Sequence, residues 1–412
     1  MKSELSKCRL VSIAIGALTL ATLGSAKALG DGYTITDLGT LGGSTTFAFG
    51  INDSGQVVGL SALDAQPGGD SHAFLWDNGS MTDLGDFGGS NSSANAINNA
   101  GEVTGFAENA AGFQHAFLWQ NGTLIDLMAG NTTSHGSGWA INESTQVAGH
   151  IGPVAFLWEQ GVMTLLNPVC ATPVRANGIN EAGQVAGESG TCPTILWEDD
   201  GNPKTNDIRV LGFLPGGLSR ARAKAINDVG QVVGDANFAP PDLEDYHAVL
   251  WANISWDVSG NFTGDIIDLG ALPGGQRSFA LAINNHGQVV GSASSVGIGA
   301  SHAMIWDDVD GMRDLNDLIP PEAGWSLSLA RDINDVGQIV GMGLLGGQVR
   351  GYLLTPITVC GDGLCEGDEP LSCPQDCSTI PTVSLWGMIV MTSLVLTAAT
   401  IVFHRFRWVR RG

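Results

Sequence analysis

The side chains in this chain best suited to chemistry are a few cations in an acidic background. The formal charge is −23, with 18 Lys and Arg against 41 Asp and Glu. Arg175, Arg220, Arg222, Lys224 and Arg331 fall in or just before short strand-like segments. A guanidinium offers a planar fork of donors that matches a carboxylate or sulfate group. With the aromatic Trp139, these residues form a candidate site for an anionic ligand such as an acidic polysaccharide. Arg220, Arg222 and Lys224 alternate, which directs them to one side of a strand. The competing reading pairs each cation with an acid on a neighbouring segment, the usual fate of surface charge.

Other residue types point to chemistry less directly. His72, His115, His247 and His302 recur once per repeat, so they are spaced apart and suit a half-buried His bonded within its own unit better than a metal cluster. The stretch 307–311, Asp-Asp-Val-Asp-Gly, has calcium-loop character but lacks the later Glu. Asp362, Asp368 and Asp376 are weak Ca2+ candidates through hard oxygens, and nothing implies another cofactor. There is no His-Glu-x-x-His, nucleophile elbow or phosphate loop. Acids such as Asp77 and Glu159 fall in outer turns, so no catalytic residue is assigned.

The elements that must position these residues come from one repeated stretch. Ile51-Asn52-Asp53-Ser54-Gly55-Gln56-Val57-Val58-Gly59 returns, little altered, at Ile97, Ile141, Ile179, Ile226, Ile283 and Ile333, with spacings of 46, 44, 38, 47, 57 and 50 residues. Periods of this size mark repeat architectures. Asn followed by Gly between apolar residues reads as strand, tight turn, strand, the Asn bonding its own backbone two residues on. Thr145 replaces the turn Gly in the third copy, which predicts strain or a different turn there. A third strand follows in each unit, as in His72-Ala73-Phe74-Leu75-Trp76, then a turn such as Asn78-Gly79 and a fourth strand.

We label the strands a to d. Six d strands follow c strands; the seventh c strand, near Tyr352, has none. The segment 33–39 precedes the first a strand and supplies the missing partner. Pairing of these two ends closes a ring and hides both free edges. The expectation is an all-β, seven-bladed β-propeller of four-stranded blades over residues 31–356, closed by the N-terminal strand. An open solenoid is the rival, disfavoured because nothing resembles a cap. In strand a, the residues three and one before the Ile are small, and alternation places them on one face. Asp332 is the exception at the position one before. Two before the Ile the residue varies: Phe49, Asn95, Trp139, Asn177, Lys224, Leu281, Arg331. That position is a candidate for ligand contact.

The chain ends read differently from its body. Lys2, Lys7 and Arg9 precede an apolar run over 10–23 and a small-residue cleavage site, which predicts a signal peptide over residues 1–28. Residues 385–403 carry no charge and are long enough for a transmembrane helix, followed by an Arg-rich tail that fixes the body outside. Excluding both ends, ten basic residues face 40 of the acidic ones, about −30, which argues against nucleic acid or anionic lipid as partners of the body. Past Cys8, six cysteines remain for an oxidising compartment. Cys170 and Cys192 fall in a d–a link and a b–c loop, which share one face of a propeller, so they are expected to pair. Cys360, Cys365, Cys373 and Cys377 form a compact module over 357–379 whose pairing the sequence leaves open.

Three resemblances add to this reading. Asp37-Leu38-Gly39, Leu41-Gly42-Gly43, Ala225-Ile226-Asn227 through Gly234, and His72-Ala73-Phe74-Leu75-Trp76 resemble the bacterial extracellular HAF-repeat family, which implies secretion and repeats but no agreed activity. Ile380-Pro381-Thr382-Val383, the apolar run and the Arg-rich end resemble the IPTL-type C-terminal sorting signal over 380–412, with Val383 in place of the usual Leu. That resemblance implies a Gram-negative source and an exosortase-like membrane protease that removes the tail; a plain single-span anchor is the other reading. The cysteine segment resembles short disulfide-rich modules found before such anchors. The functional expectation is an exported, non-enzymatic cell-surface binding or structural repeat protein, its partner an acidic polysaccharide or a surface protein. The alternative is an exported carbohydrate-active enzyme, a glycosidase or lyase, using carboxylates at the ring centre.

Overall fold

A computed structural model describes residues 32–64, 68–166, 174–189, 194–198, 207–214, 220–237, 246–259, 261–295 and 301–357. Outside these lie the signal-peptide region, Cys170, Cys192, Cys360, Cys365, Cys373, Cys377, Asp362, Asp368, Asp376 and residues 380–412. Among the described residues no helix is long and apolar enough to cross a membrane.

Each repeat folds as an antiparallel sheet in the order a-b-c-d. In the first, Thr46–Ile51 pairs with Val57–Ala62, that strand with Ser71–Asp77, and that with Ser80–Asp83. The described chain is all-β, with five four-stranded sheets and one eight-stranded sheet. The eight-stranded sheet is two a–d groups joined by a single parallel bridge, Ser71 to Asn91. These sheets are propeller-like blades. The last one has the order Tyr33–Asp37, Gln348–Pro356, Ile339–Leu345, Trp325–Ile333. Its outer strand comes from the N-terminus, in the register Tyr33↔Pro356 to Asp37↔Tyr352.

The repeated Val-Val of strand b shows why the sheets stack. Val232 and Val233 point to opposite faces, and both are fully buried. Val232 packs with Leu196 and Leu211 of the preceding sheet, and Val233 with Ala280 and Val289 of the following one. The core is therefore the series of layers between neighbouring sheets. Burying each Val in this way is worth about 1.5–3 kcal/mol. Leu38, Ala48, Val57 and Phe74 share such a layer with Val340 and Leu353, so the first and last sheets also pack together.

The motif Asn does more than shape its hairpin. Asn52 Oδ1 accepts the Gln56 N–H at 3.0 Å, four residues on and not two as the turn chemistry suggested. Its Nδ2 donates to Gln56 Oε1 at 2.9 Å and to the Asn98 carbonyl of the next unit at 3.1 Å. The same bridge runs from Asn98 to Asn142, Asn142 to Asn180, Asn180 to Asn227, Asn227 to Asn284 and Asn284 to Asn334. Asn334 then donates to the Asn52 carbonyl at 2.9 Å. All these Asn side chains are buried, where losing such bonds would cost the full desolvation penalty. Thr145, in the one hairpin without Gly, sits at φ 59°, so it bears the expected strain. Its hydroxyl donates to Glu102 at 2.8 Å.

Two short 3-10 helices, Leu315–Leu318 and Pro321–Ala323, were not read from the sequence. Asp314 caps the first by accepting the Asn316 N–H, and Pro320-Pro321 starts the second.

Candidate functional site

Strand a carries a β-bulge in every repeat, and the bulge makes the site. The register with strand b shifts between Ala48 and Gly50, Ala94 and Ala96, Gly138 and Ala140, Ala176 and Gly178, Ala223 and Ala225, Ala280 and Ala282, and Ala330 and Asp332. The skipped residue is the variable one each time. A bulge re-aims side chains that strict alternation would separate. Phe49, Asn95, Trp139, Asn177, Lys224, Leu281 and Arg331 all line one cavity of about 580 Å3. Ala96, Ala140, Gly178, Ala225, Ala282 and Asp332, one residue on, line it too. The expected face shared by positions three and one before the Ile is thus corrected: Ala48, Ala94, Ala176, Ala223, Ala280 and Ala330 are fully buried.

The cavity has an aromatic sector and a charged one. Phe49, Leu60, Phe106 and Trp139 supply the first. The Trp139 indole N–H donates to His150 Nδ1 at 2.9 Å, with the rings stacked at 6.0 Å. Burial, then the nearby Arg175 charge, pushes His150 down to about 4, so the imidazole is neutral and free to accept that bond. This holds the indole plane in place.

The charged sector brings together Arg175, Lys224 and Arg331 with Glu188 and Asp332. Lys224 is paired with Glu188 of the neighbouring sheet at 2.8 Å. Arg175 lies across from Glu188 in the strand register and makes no ion pair among the described residues. Arg331 stacks over Phe49 at 5.0 Å, and its Nε is buried with no hydrogen-bond partner among the described residues. Burial lowers its pKa, so its charge is held at a cost that an incoming anion would offset. Arg220 and Arg222 do not line the cavity. Arg220 is exposed just before Ala221–Ile226. Arg222 pairs with Asp235 at 2.7 Å and covers the Tyr246 ring at 4.9 Å. Of the proposed ligand-binding set, the cavity therefore gathers Trp139, Arg175, Lys224 and Arg331.

Asp332 was visible in the sequence only as an exception to a small-residue rule. Its Oδ2 accepts the Ile51 N–H of the first sheet at 3.0 Å, and its Oδ1 accepts the Ile333 N–H at 2.9 Å. Burial pushes its carboxyl up to about 7, against the pull of those two N–H groups, and Asp53 raises it further. Unfolded, it titrates near 3.8. Between these values the folded chain holds the extra proton, so this group's contribution to stability falls as pH rises from about 4 to 7. Asp332→Asn is expected to flatten that slope. Urea midpoints of variant and parent at pH 5 and pH 8 check it; an equal change in both contradicts it.

Farther along strands a, at the Asn-x-x-Gly turns, lies a second hollow of about 210 Å3. Asp53, Glu143, Glu181, Asp228 and Asp335 ring it together with Asn99 and Asn285. Each accepts a backbone N–H from the neighbouring unit, as Asn99 does from Asp53 at 2.8 Å and Asp53 from Asp335 at 2.9 Å. The two hollows thus differ in charge: cations and carboxylates share the first, and the second holds five acids. Among the described residues no group of three or more His, Cys, Asp or Glu is placed to hold a metal ion. The repeated His side chains bond within their own sheets: His72 to Asp83, His115 to Asp126 and His247 to Asp268 at 2.9 Å, and His302 to Asp314. In the calcium-like stretch, Arg313 reaches Asp307 at 2.8 Å and Asp310 at 3.0 Å, a cation already in place.

A family model described as "Protein of unknown function (DUF3466)" matches residues 216–345. No curated protein matches the chain. Among solved structures it is similar to TolB from Acinetobacter baumannii, at 10% identity and a TM-score of 0.38, over 72% of this chain and 79% of that one. It is similar to a protein of unknown function from Bacteroides thetaiotaomicron at 10% identity and 0.37, over 76% and 91%. A gluconolactonase from Xanthomonas campestris is similar at 12% identity and 0.36, over 80% and 97%. At these values the neighbours carry no argument about what this chain binds.

Proposed function

We propose that the chain is an exported cell-surface binding protein, a seven-bladed propeller closed by its N-terminal strand, whose axial cavity receives an acidic polysaccharide. The observation that carries this reading is the convergence of the variable bulge residue from every strand a on one cavity. A repeated scaffold with one variable position per repeat, all facing the same space, has the layout of a recognition site. The chemistry of that space suggests the ligand. Three cations face two carboxylates there, one carboxylate bound to Lys224 and the other raised to about 7. Arg175 and Arg331 remain for an anion, and Trp139 offers a flat face to a sugar ring. The Asn bridges and the pairing of Tyr33–Asp37 with Gln348–Pro356 support the closed ring.

Arg331→Ala and Arg175→Ala are each expected to weaken binding of a galacturonate oligomer about tenfold or more, since a charge-assisted hydrogen bond is worth about 1.5–3 kcal/mol. Calorimetry on the full chain checks this. Unchanged affinity, or no binding by the parent, contradicts the site.

Export rests on the 1–28 segment and the 380–412 tail. The tail is read as a sorting signal that an exosortase-like protease removes. Mature protein from its native host is then expected to lack residues 385–412, and intact-mass measurement finding the Arg-rich end attached would leave the single-span anchor. The paired cysteines, and any Ca2+ at Asp362, Asp368 and Asp376, belong to the same exported reading.

A second reading is favoured by one observation: Glu188 and Asp332 both line the cavity. Two carboxylates at a sugar site are the equipment of a glycosidase. Turnover of an acidic glycan that is abolished by Asp332→Asn would establish it in place of simple binding.

A further inference from the structure

From this geometry we infer that the cavity takes the terminus of an acidic oligosaccharide end-on, one protein per chain end, and does not accommodate internal segments. The inference rests on the reading of the cavity as a glycan site. Its walls are the inner strands, and they touch. A Cβ at Gly50 would fall 3.1 Å from Ala96 Cα, and one at Gly178 would fall 3.0 Å from Ala225 Cα. A sugar chain cannot leave sideways between strands this close.

Passage onward between the strands is opposed by charge. Toward the acidic ring stand Ile51, Ile97, Ile141, Ile179, Ile226, Ile283 and Ile333, which all line the second hollow, and Ile179, Ile226 and Ile283 line the cavity as well. With them stand the five carboxylates of that ring. A polyanion continuing that way would meet like charge, which is unfavourable. The volume of about 580 Å3 suits a small bound segment, since small-molecule pockets run about 300–1,000 Å3.

Asp332 at the floor supplies the chemistry that distinguishes an end from a middle. Each oxygen of the carboxyl can accept more than one hydrogen bond, and the Ile51 and Ile333 N–H groups use one site on each. The remaining sites accept from a hydroxyl. A terminal sugar carries a free hydroxyl where an internal one has a glycosidic oxygen, which cannot donate. Arg331, one residue before Asp332 on the same strand, takes the carboxylate of that sugar, and Arg175 lines the cavity from the fourth repeat.

The test is calorimetry on the full chain with galacturonate trimer, hexamer and long polymer, and with a trimer methylated at both termini. We expect no more than one protein per chain end at every length, a per-chain Kd constant within about twofold, and affinity for the methylated trimer reduced about tenfold or more, as for other sites left with an unpaired buried group. Asp332→Asn is expected to weaken the free trimer more than the methylated one and so to shrink the difference between them. Stoichiometry rising with chain length, or equal affinity for the methylated trimer, overturns end-on recognition and leaves the cavity a glycan site. No binding by any of the probes overturns the glycan reading itself.

Discussion

Deletion of residues 33–39 is expected to abolish cooperative unfolding and to leave an aggregating chain. The segment supplies the outer strand of the last sheet, in register from Tyr33↔Pro356 to Asp37↔Tyr352. Without it, Gln348–Pro356 becomes an open edge of unpaired N–H and C=O groups, a template for pairing with other chains. Tyr33 is fully buried and Leu38 nearly so. Removing these two side chains forfeits about 1.5–3 kcal/mol each, before the strand hydrogen bonds are counted. That is a large share of the roughly 5–15 kcal/mol that a domain has in hand. The packing of Val340 and Leu353 against the first sheet depends on the same strand. Urea unfolding followed by fluorescence, with light scattering, reads the outcome. A truncated chain that stays monodisperse with an unchanged midpoint would contradict closure by this segment.

The second large effect is expected at the Gly of Val-Val-Gly. A Cβ at Gly234 would fall 1.8 Å from the Arg222 carbonyl oxygen, and one at Gly59 would fall 1.9 Å from that of Phe47. The bulge in strand a drives that carbonyl into the space where strand b lacks a side chain. The two features depend on each other, which accounts for a Gly at this place in every repeat. Because the obstacle is backbone, no rotamer change relieves it. Gly234→Ala is expected to cost more than about 4 kcal/mol, the range of the few severe single substitutions. Gly270→Ala is the contrast: it has φ 73° but nothing within 4 Å of the added carbon. There the cost is the backbone strain alone, about 1 kcal/mol. Thermal melts of the two variants compare them directly, and equal losses would show that close approach is not what requires the glycine.

Much of the fold was legible because it rests on local signals repeated many times. Asn-x-x-Gly between apolar runs located the hairpins, and the count of c and d strands located the closing pair Tyr33–Asp37 and Gln348–Pro356. The absence of Gly at Thr145 gave its strain, and the spacing of His72, His115, His247 and His302 gave bonds within each sheet. What remained hidden depends on residues far apart in sequence. Nothing local says that Asn334 reaches the Asn52 carbonyl, or that Asp332 accepts from Ile51. The bulge hid the rest: strict alternation separates Asn95 from Ala96 and Trp139 from Ala140, so a single cavity lined by consecutive residues does not follow from period-two reasoning. For the same reason Arg220, Arg222 and Lys224 looked like one group, whereas Arg222 is held by Asp235 and only Lys224 enters the cavity. Glu188 drew no notice because its partner, Lys224, belongs to the next repeat.

The account is tested most directly by an experimental structure of the full chain with a galacturonate trimer bound. The expected result is density for the sugar in the cavity, one ring against Trp139, carboxylates at Arg175 and Arg331, and a terminal hydroxyl at Asp332. Sugar bound instead on an outer strand, or at the acidic ring of Asp53 and Glu181, would contradict it.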